Sequence, residues 1–174
     1  LSAATSAEDK ALIGKHALEE PLSIISSAVA VAKAVPTNDA NANLAAGKKL
    51  MNSTKEALKK VREIAGASSS QYQMAADSLA KQILQSGINY YNNAPDTDYE
   101  SPRKAMELQA YALSIAVGKL TKDRCQENYN IIKKTVDNMP PAAVALEARK
   151  VVDELRKFCN LPDKISHSIT LLNN

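Results

Sequence analysis

Tryptophan is absent from this 174-residue chain, and phenylalanine occurs once, at Phe158. A core therefore has to be built from alanine, leucine, isoleucine and valine with a few tyrosines. Hydrophobic residues make up 45% of the chain, enough to expect folding rather than disorder. Glycine is scarce, at five residues, and only two cysteines and two histidines are present. No run of 18 apolar residues occurs, so no membrane span is expected. The sequence has no HExxH, CxxC, Glu-x-x-His or GxSxG pattern and no phosphate-binding glycine loop. Neither metal, cofactor nor catalytic residues are expected. A Cys–His pair from Cys125 or Cys159 stays formally open, with no spacing that favours it.

Charge of one sign is also in short supply. Net charge is +3, from 22 basic and 19 acidic residues spread along the chain. That balance does not argue for a nucleic-acid partner. The lysine pairs at 48–49, 59–60 and 133–134 read as solvated helix faces. His16, in "GKHALEE", reads as part of a polar helix face, and His167 falls near the other end of the chain. No signal-peptide pattern is read at Leu1, although a mature form would have lost one.

What is present is helix signal. Thr5 with Glu8 forms a capping box, and a helical pattern runs from about Ala7 to Val35. Pro21 either kinks it or opens a new helix after Glu20. After the turn "PTNDANAN", a second helix covers about 40–65 and stops at Gly66. Ser70 with Gln73 opens a third, reaching about Asn92. The polar loop 92–102 leads to Ser101 as N-cap with Pro102 in the first turn. That helix runs to about Gly118, then either bends on to Asn138 or restarts with Thr121 as cap. Further helices are expected over 142–159 and, after Pro162, to the end of the chain. No segment alternates with period two long enough for a strand. The expectation is an all-α fold: one domain over 1–174, an antiparallel bundle of about five to six long helices. Gly87, Tyr90, Ala105 and Ala112 faintly suggest a tetratricopeptide unit, but the 34-residue period fails on either side.

Three helices share one template of apolar or small residues at 1, 4, 5, 8, 9, 12, 15 and 16. The first runs Leu50, Ser53, Thr54, Ala57, Leu58, Val61, Ile64, Ala65. The second runs Tyr72, Ala75, Ala76, Leu79, Ala80, Ile83, Ser86, Gly87, and the third Val144, Glu147, Ala148, Val151, Val152, Leu155, Phe158, Cys159. Such a wide stripe suits the core of a bundle. The same stripe also suits a groove on a partner, if the helix is accessible. Candidate partner-binding residues are Leu50, Ala57, Leu58, Val61 and Ile64, then Ala76, Leu79 and Ile83, then Ala148, Val151, Val152, Leu155 and Phe158.

This template resembles the vinculin-binding helices of the talin rod, Leu-x-x-Ala-Ala-x-x-Val-Ala-x-x-Val-x-x-Leu-Ile. "GKKLMNSTKEALKKVREIAGA" (47–67), "LSAAT" (1–5) and "KHALEEPL" (15–22) have the same texture as talin rod sequence. The resemblance implies a non-enzymatic module of a cytoskeletal, cell-adhesion adaptor related to talin, vinculin and α-catenin. It implies a cytoplasmic place and a vinculin-like protein partner reached when a helix is released. The chain departs from the pattern at Glu147, Tyr72, Val144 and Gly87.

A competing class is a secreted or surface helical bundle that binds a host or partner protein. It predicts a Cys125–Cys159 disulfide and a glycan at Asn52, within Asn52-Ser53-Thr54. A third class uses the bundle interior for a small molecule and predicts a pocket lined by histidine, Tyr90, Tyr91 or Tyr111.

Overall fold

The computed structural model describes residues 7–95, 98–140 and 142–159. Six helices order them: α1 (Ala7–Lys33), α2 (Ala40–Ala65), α3 (Ser70–Asn93), α4 (Ser101–Ile115), α5 (Lys119–Asp137) and α6 (Ala142–Cys159). The fold is all-α, a helical bundle, and the described residues contain no strand. Thr5 and the stretch after Pro162 lie outside the described residues. By its contacts the chain divides into two units, Leu1–Val136 and Asp137–Asn174.

In the first unit α1 packs on α2 and α3, α3 on α4, and α2 on both α3 and α4. Short connections between sequential helices make neighbours antiparallel. The core runs through Ile25, Val29, Leu50, Leu58, Val61, Leu79, Ile83, Leu84 and Leu108. Alanine fills the gaps at Ala57, Ala75, Ala76, Ala80 and Ala112, which lets the helices close in. Cys125 of α5 joins this core, and Ile132 joins a smaller cluster with Ala40, Tyr90 and Ala105.

Gly47 marks the tightest approach. A Cβ there would meet Leu108 Cδ1 at 2.7 Å and Ser86 Cβ at 3.2 Å. Any side chain at this position of α2 would have to displace Leu108 and crowd Ser86, so glycine lets the three helices close in here. Two buried oxygens beside the crossing, Ser86 Oγ and Gln109 Oε1, have no protein partner. The residues that hint at a tetratricopeptide unit sit at the neighbouring interface. A Cβ on Gly87 would touch Leu108 Cβ at 3.3 Å, and Ala105 and Ala112 are fully buried. Gly87, Ala105 and Ala112 are small because α3 and α4 pack closely, which needs no repeat.

Several boundaries differ from the sequence reading. Of the two readings of Pro21, the single long helix holds, with α1 continuous through it, but α1 ends at Lys33 rather than Val35. The cap of α3 is Ser69, whose hydroxyl accepts from the Tyr72 amide at 3.2 Å, and not Ser70. Ser101 is inside α4 and buried, so the N-cap falls on Glu100, which makes no side-chain cap bond. Helix α4 stops at Ile115 instead of reaching Gly118, and α5 restarts at Lys119. Thr121, the expected cap, is buried in the first turns of α5. The cap comes from elsewhere: Asp77 of α3 accepts from the Val117 amide (2.9 Å) and the Gly118 amide (3.0 Å). Gly118 in turn accepts the first bond of α5, from Lys122, at 2.9 Å. A donor pair at a helix start is satisfied here from another helix.

Candidate functional site

The three stripes meet different fates. On α2, Leu50, Ala57, Leu58 and Val61 are buried, while Ile64 is 41% exposed at the helix end. Thr54 lies inside this stripe, fully buried, and donates its hydroxyl to the Leu50 carbonyl at 2.7 Å. That back-bond satisfies a group that would otherwise weigh against burial. On α3, Ala76, Leu79 and Ile83 are almost completely buried. Both stripes are therefore core of the first unit. As partner-binding surfaces they are closed unless the bundle opens.

The stripe on α6 is open. Val144 is 55% exposed, Val151 59%, Leu155 57% and Phe158 64%. Ala148 is exposed as well, and Val152 is half-buried. Val151, Leu155 and Phe158, with the stems of Lys150 and Glu154, line a shallow surface hollow. The polar side of α6 is laced by Glu147–Lys150 (3.0 Å) and Glu154–Lys157 (2.8 Å). Glu154 beside it holds the Lys157 ammonium above its usual pKa.

Polar chemistry in the first unit serves its joints. Arg124 of α5 donates to Gln85 Oε1 (3.2 Å), Gln85 to Asn89 Oδ1 (2.9 Å), and Asn89 to Asn43 Oδ1 (3.0 Å). Buried Asn43 closes this chain by donating to the Pro36 and Asp39 carbonyls at 2.7 and 2.8 Å. One hydrogen-bonded path so ties α5, α3 and α2 to the α1–α2 turn. Asn93, one turn beyond Asn89, donates to the Thr37 carbonyl in the same turn (3.1 Å). Gln85, Asn89 and Asn93 recur at four-residue spacing on α3, a signal readable from sequence but absent from the apolar template.

A second cluster stands at the α3–α4 end. The fully buried Tyr90 donates its hydroxyl to Asp98 Oδ2 at 2.6 Å. Lys104 Nζ donates to both oxygens of Asp98, at 2.9 and 3.0 Å. Burial alone would raise the Asp98 pKa; the Tyr90 hydroxyl and the Lys104 ammonium outweigh it and hold the carboxyl below its usual value. Burial and the Asp98 carboxylate push the Tyr90 phenol up. Tyr90 is thus committed to the fold. Tyr111, half-buried, packs against the main core, and burial raises its phenol too.

Cys125 is buried, with its thiol pushed up by that burial, and Cys159 is exposed; both are free. His16 is exposed and sits 3.2 Å from Glu19. Asn52 is exposed midway along α2. Among the described residues, no group of three or more His, Cys, Asp or Glu is placed to hold a metal. No described helix is long and apolar enough to cross a membrane.

The chain matches no protein-family model, no curated protein and no solved structure. Its functional reading rests on the chemistry of its own helices.

Proposed function

We propose that the chain is a non-enzymatic protein-interaction module of a cytoskeletal or cell-adhesion adaptor, with α6 as its accessible binding element. The observation that supports this is the exposure of the α6 stripe. Val144, Val151, Leu155 and Phe158 are each more than half exposed on a helix whose other side is charged apart from the exposed Leu146. Apolar area of this kind gains about 25 cal/mol per Å² when a partner covers it. The four residues lie at i, i+7, i+11 and i+14, one face of a helix, which is how an amphipathic helix seats its anchors in a groove. The α2 and α3 stripes, built on the same template, are reserve surfaces that an opened bundle presents.

The talin-like reading makes that groove a vinculin-like head. Peptides covering 142–161, 48–67 and 70–89 are to be titrated against such a head, followed by the intact chain. The intact chain is expected to bind through α6, and Leu155→Glu to abolish that binding with the fold intact. The α2 and α3 peptides are expected to bind only when cut from the bundle. Binding no tighter than that of shuffled peptides sinks the vinculin partner. Binding of the intact chain that ignores Leu155→Glu sinks α6 as the element.

A further inference from the structure

Helix α6 carries a heptad seam with a charge pattern of its own. Val144, Ala148, Val151, Leu155 and Phe158 follow alternating spacings of four and three, the d and a positions of a heptad. Val152 and Cys159 extend the seam at the e positions. Around the helix, the residues that border this widened stripe are the g positions on one side and the b positions on the other. The g positions are Glu147 and Glu154; the b positions are Arg149 and Arg156. The stripe therefore has one edge of glutamates, each also paired within α6 to a lysine on its outer side, and one edge of arginines.

That asymmetry constrains what a second copy can do. Two helices packed antiparallel through the stripe bring g against g and b against b, so carboxylate faces carboxylate and guanidinium faces guanidinium. Two helices packed parallel about a two-fold axis bring g of each against b of the other. Glu147 then lies beside Arg149 of the second copy, and Glu154 beside Arg156. Each pair is offset by two residues, about 3 Å along the axis, within reach of an arginine fork. The symmetry repeats every contact on the opposite edge.

We propose that the partner of the α6 stripe is a second copy of α6, paired parallel and in register. This rests on the reading of α6 as the binding element and names its occupant. The 18 residues of α6 give a seam of about 27 Å, so the pairing is weak and concentration-dependent. Rim charges select the orientation more than they supply affinity. Cys159, in the last turn and exposed, marks where the two helices end side by side.

Sedimentation equilibrium of the full chain across roughly 10–500 µM, the range suited to so small an interface, tests this. Wild type is expected to pass from monomer to dimer, and Leu155→Glu to stay monomeric with unchanged helical circular dichroism. Glu154→Arg and Arg156→Glu alone are each expected to weaken the dimer about three- to tenfold, and the double exchange to restore it. A nitroxide on Cys159 is expected to report a separation under about 20 Å, as parallel ends require. A chain that stays monomeric overturns the proposal, as does a dimer that survives Leu155→Glu. Single charge exchanges that strengthen the dimer, or a double exchange that fails to rescue it, overturn the parallel arrangement. If wild type is monomeric but Leu155→Glu still loses binding to a helical-groove protein, self-pairing alone has failed. If Leu155→Glu changes neither measurement, the reading of α6 as a binding element has failed with it.

Discussion

Asp98 carries more of the fold than its position in a polar loop suggests. Its two oxygens hold the buried Tyr90 hydroxyl and the Lys104 ammonium, so one carboxylate joins the end of α3 to the first turn of α4. Hydrogen bonds to a charged group are worth about 1.5–3 kcal/mol when geometry is good. The folded pKa lies below the ordinary value, so the sign is fixed. The stabilisation is fully present above the unfolded pKa, about 3.9, and is lost as pH falls through the folded one. Asp98→Asn is therefore expected to cost about 1–2 kcal/mol at neutral pH. The gap between variant and wild type is expected to close progressively below about pH 4. Urea midpoints from pH 7 down to pH 2 give the measurement; a gap that stays constant with pH removes Asp98 as its source.

At the scale of the element, the informative joint is the corner between α4 and α5. Asp77 accepts there from two successive backbone amides, those of Val117 and Gly118 just before α5, so a carboxylate of α3 satisfies donors at the entry to that helix. Asp77→Ala is expected to destabilise the bundle by about 1 kcal/mol, the usual value of a lost cap, and Asp77→Asn by less, since it keeps an acceptor oxygen. Chemical denaturation resolves the two; equal losses would mean that charge, not the acceptor, matters. This corner also shows what sequence could and could not convey. Periodicity marked α1, α2, α3 and α6 with most of their spans, because apolar spacing along a helix is local, and left open whether 101–138 is one bent helix or two. It could not give the caps of α3, α4 and α5. Ser69 and Ser70 are chemically alike, Ser101 is drawn into the core, and Asp77 lies some forty residues away in sequence. The same limit explains the stripes. Val61, Ile83 and Leu155 occupy the same place in one template, yet the first two are buried and the third is exposed. A stripe records that a helix has an apolar side, and only the tertiary arrangement decides what covers it. Thr54 shows the same limit: its place inside the α2 stripe is plain in the sequence, whereas its bond to the Leu50 carbonyl belongs to the folded helix.

For the whole molecule, the decisive fact is where the core ends. Every buried apolar side chain among the described residues lies between Pro21 and Ile132, inside the unit Leu1–Val136. The hydrogen-bonded path from Arg124 to the α1–α2 turn also begins and ends within it. A length near 136 residues falls in the range where a single core is self-sufficient. Alanine-rich packing buries less area per residue than leucine would, so the margin is modest and depends on the close crossings at Gly47 and Gly87. A chain ending at Val136 is expected to unfold in one cooperative step, with stability within about 0.5 kcal/mol of the same transition in the full chain. Urea denaturation followed by near-ultraviolet dichroism of the tyrosines reads that transition. A broadened transition, or a loss of several kcal/mol, would mean that residues 137–174 are needed to complete the bundle. Should the short chain hold, selection on α6 is free to follow its exposed face. Changes such as Leu155→Glu can then be read as effects on binding, because the core that folds the protein is already closed without that helix.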